Sequence, residues 1–257
     1  MVKLDDKKKE ERYYLLDSVR GICILGMIIY HTLFDLVFFL GVQVNTSFLY
    51  AVDIIRDLGA CCFIALSGIC IHFGKKPLKR SLLLFAASAV VSIVTFIVLP
   101  DMPVIFGILN FMWFASIIIQ PLKKFFDRLP AGLCAAVCFI LFIVSFEVSD
   151  GYLGYYGFEI LQLPESIYSN YFTALLGFPF YGFSSSDYFP LLPWIFMFFF
   201  GFFLWNIVSK SKKILRLLSF RIRFLEKIGK YSLYIYVIHQ PVVMGIVFLA
   251  AYILSYI

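Results

Sequence analysis

The sequence predicts an all-α fold: a polytopic integral membrane helix bundle of about seven transmembrane helices, N-terminus cytoplasmic and C-terminus extracytoplasmic. Three observations predict it. The 257 residues are 62% hydrophobic and only 15% charged, with 31 Phe and 16 Tyr, too apolar for a water-soluble domain. Seven segments approach the ~20 apolar residues needed to cross hydrocarbon, at 15–41, 51–74, 79–99, 104–122, 131–148, 190–208 and 231–256. Of the 22 Lys and Arg, all but Arg20 and Arg56 fall in the tail 1–14 or in the second, fourth and sixth loops. That asymmetry places those loops in the cytoplasm. The net charge of +6 is then a membrane-anchoring charge, and no nucleic-acid partner is implied. One transmembrane domain over 1–257, surrounded by lipids of a bacterial cytoplasmic membrane, accounts for the whole length. The expectation includes no signal peptide: residues 1–14 are polar and the apolar run behind them is too long for an h-region.

The first span carries Asp17, Arg20, His31 and Asp35. At ~100° per residue, with Arg20 at zero, His31 falls near ~20° and both aspartates near ~60°. The four therefore share one narrow face of an apolar helix. Charges within a bilayer are costly unless they face protein or water, so the stripe points to a buried path or site. The alternative is mutual neutralisation that locks helices together.

The second span opens with Asp53, Arg56 and Asp57, stacked at i, i+3 and i+4, where they pair locally; an Asp35–Arg56 contact stays open. Ser67-Gly68 suits a close helix approach. His72 closes this span beside Lys75 and Lys76, as an interfacial residue or as part of a site for a phosphorylated cofactor. In the fourth span, Asn110 is expected to hydrogen-bond a neighbouring helix. The fifth holds Cys134 and Cys138; like the other four cysteines, they read as small packing residues. No metal pattern is present.

The loop 149–189 holds thirteen aromatic and four acidic residues and no Lys or Arg. Loops of this length are usually functional or disordered, and its apolar content argues against disorder. Rings with carboxylates suit a sugar or an amphipathic lipid head group; a plain interfacial belt is the alternative. The sixth span opens with Asp187, Tyr188, Pro190, Pro193 and Trp194, the prolines standing at a helix start. In the seventh, His239 lies roughly 13 Å into the span, and Pro241 frees a backbone carbonyl one turn earlier. Such a kink with His and Gln suits a polar cavity wall.

The string Leu16-Asp17-Ser-Val-Arg20-Gly21, followed by Met27-Ile-Ile-Tyr-His31, resembles the opening of the bacterial heparan-α-glucosaminide N-acetyltransferase catalytic-domain family. Phe106-Gly107-Ile-Leu, Asp187-Tyr-Phe-Pro-Leu-Leu-Pro193-Trp194 and Ser232-Leu-Tyr-Ile-Tyr-Val-Ile-His239-Gln240-Pro241 resemble it further, in the same order. The Arg-x10-His spacing is also similar to the membrane acyltransferases of the O-antigen acetylase type. The resemblance implies acetyl-CoA as co-substrate, bound from the cytoplasm, and a glycan or lipid-linked sugar acceptor on the other side. Lysosomal members carry a catalytic His in the first non-cytoplasmic loop. Gly41–Tyr50 has none, so the role passes to His31.

On that reading His31 is the base or acyl-relay residue, Asp35 orients it, and His239 is secondary. A neutral imidazole is the usual base for acyl transfer. Arg20, Asp17, His72, Lys75 and Lys230 form the cofactor side. Asp53, Arg56, Asp57, Asp187, Tyr188 and Trp194 form the substrate side. No metal is expected, and a homodimer is compatible with the chain. The competing function is a transporter or channel for a small anion or lipid-linked sugar, although no internal repeat supports it.

Overall fold

The structure, a computed structural model, describes residues 13–254; most of the 1–14 tail, with Lys3, Lys7, Lys8, Lys9 and Arg12, lies outside the described residues. The fold is nearly all helix. The seven expected positions are occupied by α1 (Tyr14–Leu40), α2 (Thr46–Ile69), α3 (Pro77–Val98), α4 (Ile108–Phe126), α5 (Ala131–Val144), α7 (Trp194–Val208) and α10 (Ser232–Leu254). Four of these, α1, α2 with its 3-10 extension to Phe73, α3 and α10, are long and apolar enough to cross a membrane. A fifth candidate is α7 taken together with α8 (Lys212–Leu218), bent by 118° at the break between them.

Local chemistry explains where the elements differ from expectation. The second helix begins early because Asn45 caps it, accepting from the Ser47 N–H at 2.8 Å. The fourth begins late, at Ile108, behind Pro103 and a Phe106 held at φ 56°. Its first N–H is capped from far along the chain, by Asp187 at 3.2 Å. The fifth stops at Val144, where Ser145 bridges to Gly154. At ~1.5 Å per residue, the 14 residues of α5 and the 15 of α7 are shorter than a ~30 Å hydrocarbon core.

The loop 149–189 is ordered. A hairpin pairs β1 (Tyr152–Tyr155) with β2 (Phe158–Gln162). Its two-residue turn is Tyr156-Gly157, both at positive φ, the backbone that matches strand twist. Short α6 (Tyr171–Leu176) follows, with Asn170 and Thr173 forming a capping box.

The basic segment 209–230 holds more than surface charge. After α8 comes α9 (Arg223–Lys230), which lies across the start of α1. A Cβ on Gly229 would collide with the Asp17 carbonyl, and one on Gly21 with the Leu225 carbonyl. The two glycines thus let the backbones touch. A second close crossing joins α2 and α7: Gly68 lies against the Phe198 carbonyl and Gly201 against that of Ala65. Around it sits the core, with Ile64, Phe111, Ala115, Ile119, Phe142, Phe198 and Phe202 essentially solvent-free.

Helix ends sort by charge. At one end Tyr13 packs on Phe73 and Trp205, His72 stacks on Phe202, and Lys123 stands over the same ring. At the other, Tyr156 of the hairpin donates to Asp57 at 3.0 Å, and Ser185 accepts from the Ile105 N–H at 2.9 Å.

Candidate active site

His31 and His239 meet inside the bundle with ring centroids 5.0 Å apart. α1 supplies His31, half-buried, and α10 supplies His239, 7% exposed. The Nδ1 of His239 lies 2.6 Å from the Tyr236 backbone carbonyl. A carbonyl only accepts, so Nδ1 carries the proton, and in the neutral imidazole Nε2 is then the atom with the lone pair. That Nε2 is buried and has no hydrogen-bond partner.

The shell around the pair fixes it. Tyr236 donates its phenol to Asp187 Oδ2 at 2.7 Å, and the same oxygen accepts from the Ile108 N–H. One carboxylate from the long loop therefore ties α10 to the start of α4. Asp35 is fully buried. Its two oxygens accept from Gln240 Nε2 at 3.0 and 3.2 Å, not from His31, so Asp35 joins α1 to α10 and leaves His31 unoriented. No Asp35–Arg56 contact forms, because Arg56 is taken up by Asp53 at 3.2 Å and Asp57 at 2.9 Å. Arg56 also donates to the Tyr30 hydroxyl at 3.0 Å, and the Tyr30 ring stands edge-on to His31.

The remaining substrate-side candidates separate. Asp187 lines a cavity with Tyr236, Asn110, Gly107, Ser88 and Ser92. This small space lies between α3, α4 and α10 and is partly open to the outside. Tyr188 is spent on the Ala174 carbonyl at 2.5 Å. Trp194 is 7% exposed, packed on Phe142 and Phe189, which makes it core. Asn110 makes no interhelical bond; its Oδ1 is buried without a partner.

At the basic end, Arg20 pairs with Asp17 at 3.0 Å and reaches Cys70 Sγ at 2.8 Å. Arg80, on α3, reaches no carboxylate among the described residues; its Nη1 lies 3.5 Å from the Cys70 carbonyl. A second small cavity is lined by Arg80, Gln120, Ser116, Ile71, Gly74 and Pro77. His72 faces away, its Nε2 3.2 Å from the Phe202 carbonyl. Lys75 and Lys230 are exposed, Lys230 over the Tyr231 ring.

Sequence reading missed Arg80 and Tyr236, and placed Gln240 in a cavity wall without its partner Asp35. It also missed the hydroxyl stripe on α3, where Ser81, Ser88 and Ser92 fall seven and four residues apart on one helical face. Ser81 meets Ser116 at 2.8 Å near the basic-end cavity, while Ser88 and Ser92 line the other cavity. Among the described residues no cluster could hold a metal.

No curated protein and no solved structure matches the chain. Residues 12–241 match the family described as heparan-alpha-glucosaminide N-acetyltransferase, catalytic. That match takes in α1, the capped start of α4, the Asp187 loop and α10 as far as Pro241, so every group of the histidine site lies inside it, and the chain belongs to the heparan-alpha-glucosaminide N-acetyltransferase catalytic family.

Proposed function

We propose that this protein is a membrane-embedded acetyltransferase that moves an acetyl group from cytoplasmic acetyl-CoA to an amine or hydroxyl of an extracytoplasmic glycan or lipid-linked sugar. The single observation that carries the reading is His239: its Nδ1–H is committed to a backbone carbonyl, and its Nε2 is buried without a hydrogen-bond partner, with the His31 ring packed alongside. A base in that state can take a proton from an incoming amine or hydroxyl. The Tyr236 carbonyl then stabilises the imidazolium through Nδ1–H, and Asp187 holds Tyr236 in place. His31 is the second member of the pair. Asp35 acts through Gln240 as a positioning residue, keeping α10 against α1.

Acetyl-CoA supplies the activated acetyl group when bound. The residues that fit its anionic half are Arg80, short of a carboxylate partner among the described residues and lining the basic-end cavity, and Arg20 opposite it on Cys70. The exposed Lys75 and Lys230 contribute positive potential around that end, while His72 is turned to the Phe202 carbonyl. Asp17 holds Arg20 in position. On the far side, Asp53, Arg56 and Asp57 form a partly exposed rim above the histidines.

Titration of the purified protein in detergent with acetyl-CoA tests the donor. A charge-assisted hydrogen bond contributes about 1.5–3 kcal/mol, so Arg80→Ala is expected to weaken binding about 10–100-fold. Unchanged affinity in Arg80→Ala removes that arginine from the site, and failure of the wild-type protein to bind acetyl-CoA removes the acetyltransferase reading.

The orientation is part of the same proposal: N-terminus inside, seven crossings, and the loop 149–189 outside, because the loop cations segregate to one end. Reporter fusions at residues 76, 126 and 170 are expected to read inside, inside and outside. An inside reading at 170 overturns it.

A further inference from the structure

The chain between α7 and α10 is strongly cationic and leaves large apolar side chains uncovered. Residues 209–230 hold eight Lys or Arg and a single acid, Glu226. Glu226 is buried and held by Arg221, whose guanidinium also stands 4.8 Å from the centre of the Tyr14 ring. Among the described residues, Lys212, Lys213, Arg216, Arg223 and Lys227 reach no carboxylate.

Around its axis α8 divides into three sectors. At ~100° per residue, with Lys212 at zero, Leu218 and Leu215 fall near ~240° and ~300°, Arg216 and Lys213 near ~40° and ~100°, and Leu217 and Ile214 near ~140° and ~200°. Leu215 and Leu218 pack on the cluster of Leu16, Leu66, Ile69 and Trp205. That sector is docked, and the other two face outward; Leu217 is 62% exposed. The same order recurs in α9. With Arg223 at zero, Leu225, Gly229 and Glu226 span ~200–300°, Lys230 and Lys227 lie within ~40° of zero, and Phe224 lies near ~100°. Leu225 and Gly229 set their backbones against Gly21 and Asp17 of α1, while Phe224 is 70% exposed.

A cationic sector beside an apolar one, with the third side fixed on protein, is the cross-section of a helix lying in a membrane interface. The path of the chain agrees. The turn of 118° from α7 into α8 passes a right angle, so α8 runs across the basic end of the bundle instead of away from it, and the chain then returns into α10, a helix of spanning length. Charge decides between occupants. A soluble acidic partner would meet the cations and leave Leu217 and Phe224 in water. A zwitterionic lipid would cover the apolar sectors and leave the cations without counter-charge. An anionic lipid satisfies both sectors at once, its acyl chains against the leucine and phenylalanine and its phosphate against lysine and arginine.

We propose that α8 and α9 bind the anionic headgroups of the leaflet at the basic end of the bundle. Lys212, Lys213 and Arg216 hold phosphates beside an inserted Leu217, and Arg223 and Lys227 do so beside Phe224. The placement of neither helix depends on the acetyl-transfer reading.

The test uses the full chain carrying Leu217→Trp, in nanodiscs of equal parts phosphatidylcholine and phosphatidylglycerol, with bromine on the acyl chains of one lipid or the other. The protein without that substitution supplies the background from Trp113, Trp194 and Trp205. Each Lys or Arg near an anionic surface favours it about fivefold, so brominated phosphatidylglycerol is expected to quench the new tryptophan severalfold more than brominated phosphatidylcholine. Salt at about 1 M, where the Debye length is ~3 Å, should bring the two levels together without any change to the cations. Lys212→Gln with Lys213→Gln and Arg216→Gln should do the same at low salt, with quenching by both lipids retained because the apolar sector still inserts. Phe224→Trp, with Arg223→Gln and Lys227→Gln, reports α9 in the same way.

Quenching by neither lipid overturns the proposal, because a protein partner or a second copy then covers this face. Equal quenching by the two lipids at low salt overturns it as well, since the apolar sector would insert without selecting a headgroup. So does a phosphatidylglycerol preference that survives both high salt and the glutamine substitutions, which places the selection elsewhere.

Discussion

His239→Ala is expected to lower acetyl transfer ~10²–10⁴-fold, the usual loss when a positioned base is removed, while acetyl-CoA still binds. The reason is tautomeric. With Nδ1–H held by the Tyr236 carbonyl at 2.6 Å, the neutral imidazole keeps its lone pair on Nε2 without a change of tautomer. His31→Ala should also lower turnover, since its ring packs on that of His239 at 5.0 Å, but by the smaller factor, because His31 has no fixed tautomer. Asp35, expected from spacing to orient His31, instead holds Gln240. Steady-state rates on the two variants, with acetyl-CoA binding measured alongside, decide the order. A dead His31→Ala beside a near-wild-type His239→Ala returns the base role to His31.

Gly201→Val should abolish stable folding. A Cβ at Gly201 would run into the backbone of Ala65, with no flexible side chain able to yield. The facing Gly68 stands in the same relation to Phe198. Overpacking usually costs about 1–3 kcal/mol and occasionally more. Here backbone opposes backbone on both sides, so α2 and α7 must separate and the buried rings of Phe198 and Phe202 lose their contacts. The cost should exceed that range. Gly26→Val is the control, since nothing lies within 4 Å of a Cβ there. Thermal unfolding in detergent, read against folded yield, separates them. A Gly201→Val protein that melts within a few degrees of wild type would show that α2 and α7 can part at little cost.

The sequence by itself determined that helices dominate and where the long ones lie, because an apolar run of spanning length leaves its backbone no partner but itself. It also determined that Asp17, Arg20, His31 and Asp35 share a face, since 3.6 residues per turn is a property of the helix alone. It identified the Ser67-Gly68 contact, and its motifs named the family that residues 12–241 match.

What it left open are the relations between helices. Periodicity places a side chain on a face but does not say which helix comes to meet it. Only tertiary structure paired Asp35 with Gln240, 205 residues away, and set His31 against His239. It brought Asp187 from the long loop to cap α4 and hold Tyr236. The basic segment 209–230 read as membrane anchoring by charge, yet α9 crosses α1 there because Gly21 and Gly229 present no side chain at the contact. Arg80 was one more cation in a loop until the fold set it beside a cavity with no carboxylate partner among the described residues. In each case the deciding quantity is the distance between atoms remote in sequence, which the order of residues encodes only through the packed structure.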